Sequence, residues 1–292
     1  MDLPPAFRIG HWSDPVGRTG CTVILSEPAA VAAVDVRGGA PGTIDTDRLA
    51  PGRSIETLNA VLLTGGSLFG LAAYAGVMRW LDEHGIGYAI RDRRVPLVSG
   101  AVIFDLAVGD HRARPDAASG YAACVAATHE PEEGAVGAGT GATVAKGRGG
   151  GRPGGLGIAS ARAGDATVCA VVAVNAIGGI WDDDAHEWVA PLQDARAGTP
   201  GANTTIGAIL TDAALTRTAA LRVAIAGHDG LARAVRPAHT DMDGDTLFAL
   251  SAGEKRADPV LVQVAAADAV ARAIVRGVRL AARLPRDGTM DR

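Results

Sequence analysis

Apolar positions along this chain fall into two periodicities. Residues 21–25 and 31–36 are short runs rich in β-branched side chains, closed by Pro and Gly, and they predict strands. Residues 58–63 form a continuous apolar run, a buried strand by the same reading, which leads into Thr64-Gly65-Gly66-Ser67. Beyond that turn Leu68, Leu71, Ala72, Ala75, Met78 and Leu81 recur at helical spacing as far as Gly85. An Ala-rich helix is predicted over 116–128, with Pro115 at its threshold. Strands are predicted at 155–161, at 166–174 running into Asn175, at 204–210 and at 246–251. Helices are predicted at 216–234 and 259–284. Between Asp182-Asp183-Asp184 and Gly198-Thr199-Pro200-Gly201 the pattern lapses into what reads as an irregular, exposed loop.

This order is not the strict alternation of a doubly wound parallel sheet. Near-continuous apolar strands belong to sheets covered on both faces, so the pattern implies an α+β layered sandwich. No internal repeat and no linker divides the chain, and residues 1–292 read as a single domain.

Composition changes this picture in three places. The chain has 39 glycines and only 4% aromatic residues, which predicts a core of small side chains with backbones in close approach. A formal net charge of −4 argues against a generic nucleic-acid binder. Of the 28 basic residues only Lys146 and Lys255 are lysines. Cys21, Cys124 and Cys169 are scattered, which argues against a disulfide framework and a cysteine zinc site. The first residues carry no secretory signature and no apolar run reaches bilayer length, so no membrane association and a cytoplasmic location are expected.

Several motifs fail on inspection. Gly137-x-Gly139-x-x-Ala142 fits a loose dinucleotide fingerprint, but a glycine-rich stretch follows where a helix is required. The Gly141 to Gly147 stretch lacks the Lys-Ser/Thr ending of a phosphate loop, and Gly65-Gly66-Ser67-Leu68-Phe69 lacks the second glycine of a nucleophile elbow. Asp241-Met242-Asp243-Gly244-Asp245 opens like a calcium loop, then places Thr246 and Ala252 where glycine and a carboxylate belong. Arg272, Arg276, Arg279 and Arg283 form one stripe of the last helix, opposite Val270, Ile274, Val278 and Ala281, and read as a solvated or subunit-facing side. No metal and no cofactor is implied.

One constellation survives. Asn203-Thr204-Thr205-Ile206 joins a Gly/Pro loop to an apolar strand. A hydroxyl residue at the head of a buried strand is placed as an N-terminal nucleophile requires. If the Asn203–Thr204 bond breaks, Thr204 gains an α-amine of pKa about 8, well matched to accept a hydroxyl proton near neutrality. Thr205, facing the other side of the strand, is the fallback.

The segment from Gly201 to Asp212 resembles the self-cleavage segment of the DmpA-type aminopeptidases, the L-aminopeptidase/D-esterase family of N-terminal-nucleophile hydrolases. Within that family it is most similar to the nylon-oligomer (6-aminohexanoate-oligomer) endohydrolases. The stretch from His239 to Ala249 is similar to a segment of those hydrolases almost residue for residue. The glycine-rich run from Gly137 to Lys146 and the strand ending Val174-Asn175 match in order, as do the segments 34–40 and 63–71. Relative to the nylon hydrolases the chain looks shorter before the first shared segment and between Asn175 and Thr204.

The resemblance implies a four-layer αββα sandwich of the N-terminal-nucleophile type, shared with ornithine acetyltransferase. It implies cleavage between Asn203 and Thr204 into an α chain of residues 1–203 and a β chain of 204–292. Thr204 would be the nucleophile, surrounded by Lys146, Asn175, Asp243 and Asp245, with Phe69 as a candidate substrate contact. Asn175 could donate an N–H to a tetrahedral oxyanion. A lysine at 146, in a chain that otherwise writes arginine, implies a compact ammonium of tunable pKa. Asp243 and Asp245, at i and i+2, would point the same way in extended chain and could hold a protonated amine. The implied activity is hydrolysis of linear amides, foremost 6-aminohexanoate oligomers and nylon-like polyamides. The alternative is an aminopeptidase or amidase acting on small peptides or amino-acid amides. Acetyl transfer to ornithine and a non-cleaving binding protein are weaker rivals. A homo-oligomer, a tetramer of αβ protomers, is expected.

Overall fold

The computed structural model describes residues 2–147, 150–192 and 201–283. In chain order its elements begin with β1 (Phe7–Asp14), β2 (Thr19–Val36), β3 (Thr43–Ile44) and β4 (Thr57–Thr64). Helix α1 (Ala73–Glu83), β5 (Tyr88–Ile90), β6 (Arg93–Val95), β7 (Val98–Val102) and α2 (Ala117–Val125) follow. The middle holds β8 (Thr143–Gly147), β9 (Gly150–Pro153), β10 (Gly155–Ala163), β11 (Ala166–Asn175), β12 (Gly179–Asp182) and β13 (Glu187–Ala190). The last part comprises β14 (Thr204–Ala213), α3 (Arg217–Ala234), β15 (Val235–Arg236), β16 (Thr246–Lys255) and α4 (Pro259–Ala281).

One hydrogen-bonded path runs β10-β11-β14-β16-β2-β4-β7-β3, with β1 on β2. It is mixed: β14 with β16 and β4 with β7 are parallel pairs, and the other neighbours are antiparallel. The path folds into two layers because β2 is long enough to serve both. Its second half pairs with β16 and its first half with β4 and β1, and the register shifts between Leu25 and Ala30.

Side-chain alternation then makes three cores. Val168, Ala170, Val172 and Val174 of β11 join the apolar faces of α3 and α4. Cys169, Val171 and Ala173, on the opposite face, meet Ile9, Ile24, Leu58, Val61 and Leu63 between the sheet layers. Val23, Leu62 and Val98 pack outward against Val77, Trp80, Leu81 and Ala123 of α1 and α2. Helix, sheet, sheet, helix is the αββα order. Backbone contact between layers is tight where glycines allow it: a Cβ on Gly157 would lie 2.0 Å from the Ala273 carbonyl oxygen of α4.

The structure departs from the sequence pattern in instructive ways. Strands expected at 21–25 and 31–36 are one strand, interrupted locally at Glu27-Pro28. The helix expected from Leu68 opens as a 3-10 turn, Ser67–Ala72, before turning α-helical at Ala73. The loop expected after Asp182 contains the β12–β13 hairpin, and residues 193–200 lie outside the described part. Within the arginine stripe, Arg272 pairs with Asp184, Arg276 with Glu133, and Arg279 with Asp182 and Glu187. Among the described residues no helix is long and apolar enough to cross a membrane.

Candidate active site

The site is assembled where three strands share an end. β11 is buried along its whole length and ends at Asn175; β14, equally buried, begins at Thr204. Their antiparallel register sets Asn175 directly opposite Thr204. β16 runs parallel to β14, so the loop that enters it, carrying Asp243 and Asp245, arrives at the same end. Asn203 and Asp243 form a parallel bridge just beyond the ladder. The β8–β9 hairpin supplies Lys146, fastened by the Ala145 N–H on the Gly178 carbonyl and the Lys146 N–H on the Ile177 carbonyl.

All five expected residues therefore converge, and four are almost wholly buried: Asn175, Thr204, Asp243 and Asp245. The Thr204 hydroxyl donates to the carbonyl oxygen of Asn203 at 2.5 Å. That same oxygen accepts the Gly244 N–H at 3.0 Å. A side chain at 244 would be pressed against the opposing loop, since a Cβ there would lie 2.4 Å from the Ala40 carbonyl oxygen. Thr205, the fallback, has its hydroxyl buried with no hydrogen-bond partner among the described residues, while its N–H donates to Asp245 Oδ1 at 2.7 Å.

Lys146 Nζ donates to Asn175 O and Oδ1, both at 3.0 Å, and to Ala202 O at 2.6 Å. Burial lowers its pKa to about 7, against the pull of the Asp243 and Asp105 charges. An amine poised there exchanges protons near neutrality, which arginine cannot do. Asn175 Oδ1 also accepts the Thr143 N–H, and Nδ2 donates to Phe104 O at 3.0 Å and Ala202 O at 3.3 Å. The Asn175 amide thus points at the chain just before the 203–204 bond. The backbone of Gly244, not Asn175, holds the Asn203 carbonyl oxygen.

The two carboxylates are neighbours with different holders. Asp243 Oδ2 accepts from the N–H and hydroxyl of Thr240; burial, then the nearby Asp245 charge, raise its pKa. Asp245 Oδ2 accepts from the N–H and Nδ1 of His239. Phe69 stands apart from this cluster. It is exposed, with the Arg114 guanidinium 3.8 Å above its ring. Its turn touches the site indirectly: the Ser67 N–H bonds Ile103 O, one residue before the Phe104 carbonyl that Asn175 holds.

Two participants escape the sequence pattern. Asp105 is buried, accepts from the Thr19 hydroxyl and the Gly66 N–H, and stands close enough to Lys146 to raise its pKa. Burial raises the pKa of Asp105 itself. Its one signal is a lone carboxylate inside the run Val102-Ile103-Phe104-Asp105-Leu106. His239 is the other, within the segment singled out for its aspartates.

A hydroxyl beside the preceding carbonyl, with that oxygen on a backbone N–H and a near-neutral amine alongside, is chemically equipped for an N-to-O acyl shift. The sequence profile of peptidase family S58 matches residues 5–290. An uncharacterized aminopeptidase of Mycobacterium tuberculosis is 44% identical, over 93% of this chain and 91% of its own. A 6-aminohexanoate-oligomer endohydrolase of Agromyces sp. is 35% identical, over 86% and 74% respectively. Among solved structures, the L-aminopeptidase/D-Ala-esterase/amidase of Ochrobactrum anthropi, described as a variant of the Ntn-hydrolase fold, superposes with a TM-score of 0.73. Its identity is 21%, over 94% of this chain and 84% of that one. A Burkholderia sp. β-aminopeptidase gives 0.71 at 24%, with the same coverage. The fold is therefore the Ntn-hydrolase fold of the DmpA type.

Proposed function

We propose, from the premise that this chain belongs to peptidase family S58 and is a peptidase/amidase hydrolase, that it cuts itself between Asn203 and Thr204 and then works as an aminopeptidase or amidase on small peptides and amino-acid amides. The observation that carries this is the Thr204 hydroxyl at 2.5 Å from the Asn203 carbonyl oxygen, beside the Asn175–Lys146 pair. In the self-cleavage step Oγ1 bonds to the Asn203 carbonyl carbon and gives up its proton. The C–N bond breaks and the departing nitrogen takes up a proton. Water then hydrolyses the ester, leaving a carboxylate on Asn203 and a free amine and hydroxyl on Thr204. In turnover that amine deprotonates the hydroxyl, and the acyl group of the substrate passes through the same ester.

Each neighbour has a role on this reading. Lys146 exchanges protons and, as the ammonium, stabilises negative charge. Once the 202–203 end withdraws, the Asn175 amide is released to hold the substrate oxyanion. Asp243 and Asp245 hold the new α-amine. The exposed Leu68 and Phe69 form an apolar rim for the substrate side chain. The mature unit, residues 1–203 with 204–292, forms one domain and assembles into homo-oligomers.

Sequence similarity favours the aminopeptidase reading. The mycobacterial relatives named as aminopeptidases stand at 44%, above the 35% of the nylon-oligomer hydrolases. Hydrolysis of 6-aminohexanoate oligomers is the second reading, supported by that 35% over 86% of the chain.

Intact mass measurement tests the first step. The product starts at Thr204 in the wild type, and Thr204→Ala stays at 29.5 kDa. Splitting of Thr204→Ala at the same bond overturns the assignment. Parallel rates on alanine p-nitroanilide and on a 6-aminohexanoate trimer separate the two substrate readings.

A further inference from the structure

Behind Asp245 lies a buried polar chain that the cleavage chemistry does not use. His239 has φ of +56°, a left-handed conformation uncommon for a residue with a side chain. This conformation turns its main-chain N–H and its ring Nδ1 onto one oxygen, Asp245 Oδ2, at 3.1 and 2.8 Å. The other oxygen, Oδ1, accepts the N–H of Thr205 at 2.7 Å. That N–H belongs to the peptide joining Thr204 to Thr205, so Asp245 grips the nucleophile's residue from its C-terminal side.

The His239 ring is itself braced. His228 of α3 meets it edge to face, with ring centroids 4.8 Å apart at 68°. His228 Nε2 lies 3.1 Å from the Asp35 carbonyl oxygen, and Asp35 is paired with Arg37. A ring nitrogen facing a carboxylate or a carbonyl carries its proton there. His239 is thereby a donor through Nδ1, and His228 through Nε2. Burial lowers the pKa of His228 to about 4, against the Asp35 and Asp245 charges, so it stands neutral. His239 Nε2 and His228 Nδ1 are buried and have no hydrogen-bond partner among the described residues. Such a geometry is costly, and leaving two ring nitrogens bare away from solvent is a poor way merely to fill space.

We propose that His239 is a positioning residue for the Thr204 site, fixing the Asp245 carboxylate so that Oδ1 meets the Thr205 N–H, with His228 as the wall that fixes the ring. The proposal rests on the reading of Thr204 as the self-cleaving residue. It assigns to His239 a donor function, which asparagine can supply in part because it tolerates positive φ and carries a short side-chain N–H.

The test is the first-order rate at which freshly refolded, full-length chain splits in two. His239→Leu slows splitting about 10- to 100-fold, the effect expected of a lost hydrogen bond to a charged group. His239→Asn restores the rate to within about fivefold. The double variant His239→Leu/Asp245→Asn is no slower than Asp245→Asn alone, because His239 acts only through that carboxylate. Should His239→Leu not fold, His239→Ser, which is small and too short to reach Oδ2, carries the same expectation. A wild-type rate in His239→Leu or His239→Ser overturns the proposal. So does an Asn variant as slow as the Leu variant, or multiplicative losses in the double variant, either of which marks a structural role. Thr204→Ala separates the layers: if it still splits, the reading of the site is wrong. If it does not split while His239→Leu keeps the wild-type rate, only the role of His239 falls.

Discussion

Replacing Lys146 with methionine removes a buried ammonium and nothing of comparable length. Two opposed quantities decide the result. Holding the charge where the folded pKa is about 7 and the unfolded pKa about 10.5 costs at most about 5 kcal/mol below pH 7, at about 1.4 kcal/mol per pH unit. Lys146 keeps some contact with solvent, and screening brings this to about 3 kcal/mol. The three hydrogen bonds from Nζ to Asn175 O, Asn175 Oδ1 and Ala202 O return about 1 kcal/mol each. Between about pH 7 and 10.5 the unfolded chain keeps a proton that folded Lys146 has released, so wild-type stability climbs with pH through that window. Lys146→Met is therefore close to wild-type stability at pH 6 and about 3 kcal/mol less stable at pH 10. The assay is urea unfolding from pH 6 to 10 with both proteins in the Thr204→Ala background, which keeps the chain in one piece. A stability difference that stays flat within about 0.5 kcal/mol across this range refutes the reasoning.

Other outcomes follow from the same geometry. Asn175→Asp removes the Nδ2 donor for the substrate oxyanion and places a carboxylate against the Phe104 carbonyl, so amide turnover falls about 100-fold or more in mature protein; steady-state kinetics with alanine p-nitroanilide read it. Gly244→Ala forces its Cβ toward Ala40 O and pushes the 243–244 backbone off the Asn203 carbonyl. Splitting measured by gel slows at least 10-fold, and urea unfolding shows about 1–3 kcal/mol of lost stability. Arg217→Met strips a buried guanidinium from the carbonyls of Ala50, Arg53 and Ile55, lowering stability by about 3 kcal/mol in the same assay.

The parts of this molecule that could be read from sequence are those whose cause is local. β11 and β14 announce themselves as apolar runs because both their faces are covered, and Asn175 and Thr204 stand out as the polar residues that end and begin those runs. The helices α3 and α4 show through their apolar periodicity, and the structure caps them with the side chains of Thr216 and Asp258. What escaped has a distant cause. β1 mixes buried and half-buried positions with little alternation, so its pairing with β2 leaves no clear period. The turn at Ser67–Ala72 keeps an apolar spacing close to that of a helix, and left-handed Gly66 (φ +78°) and Ser67 (φ +52°) tighten its entry. Asp105 meets Thr19 across 86 residues, and the Gly244 N–H meets Asn203 through backbone that no side-chain pattern encodes. Substrate choice is the least local property, and family likeness orders its two readings more firmly than any motif does.

The register of the sheet has a consequence for what a cut at 203–204 can and cannot change. β14 lies between β11, from the first segment, and β16, from the second; β16 in turn lies against β2, from the first. The two products are thus interleaved like the fingers of clasped hands rather than stacked as halves. Neither owns the whole of the main sheet, and neither could leave without breaking two ladders in the middle of the core. Scission there would make a new chain end without making a new subunit boundary. The pieces would not exchange between molecules or come apart on dilution, and they would melt together as one body.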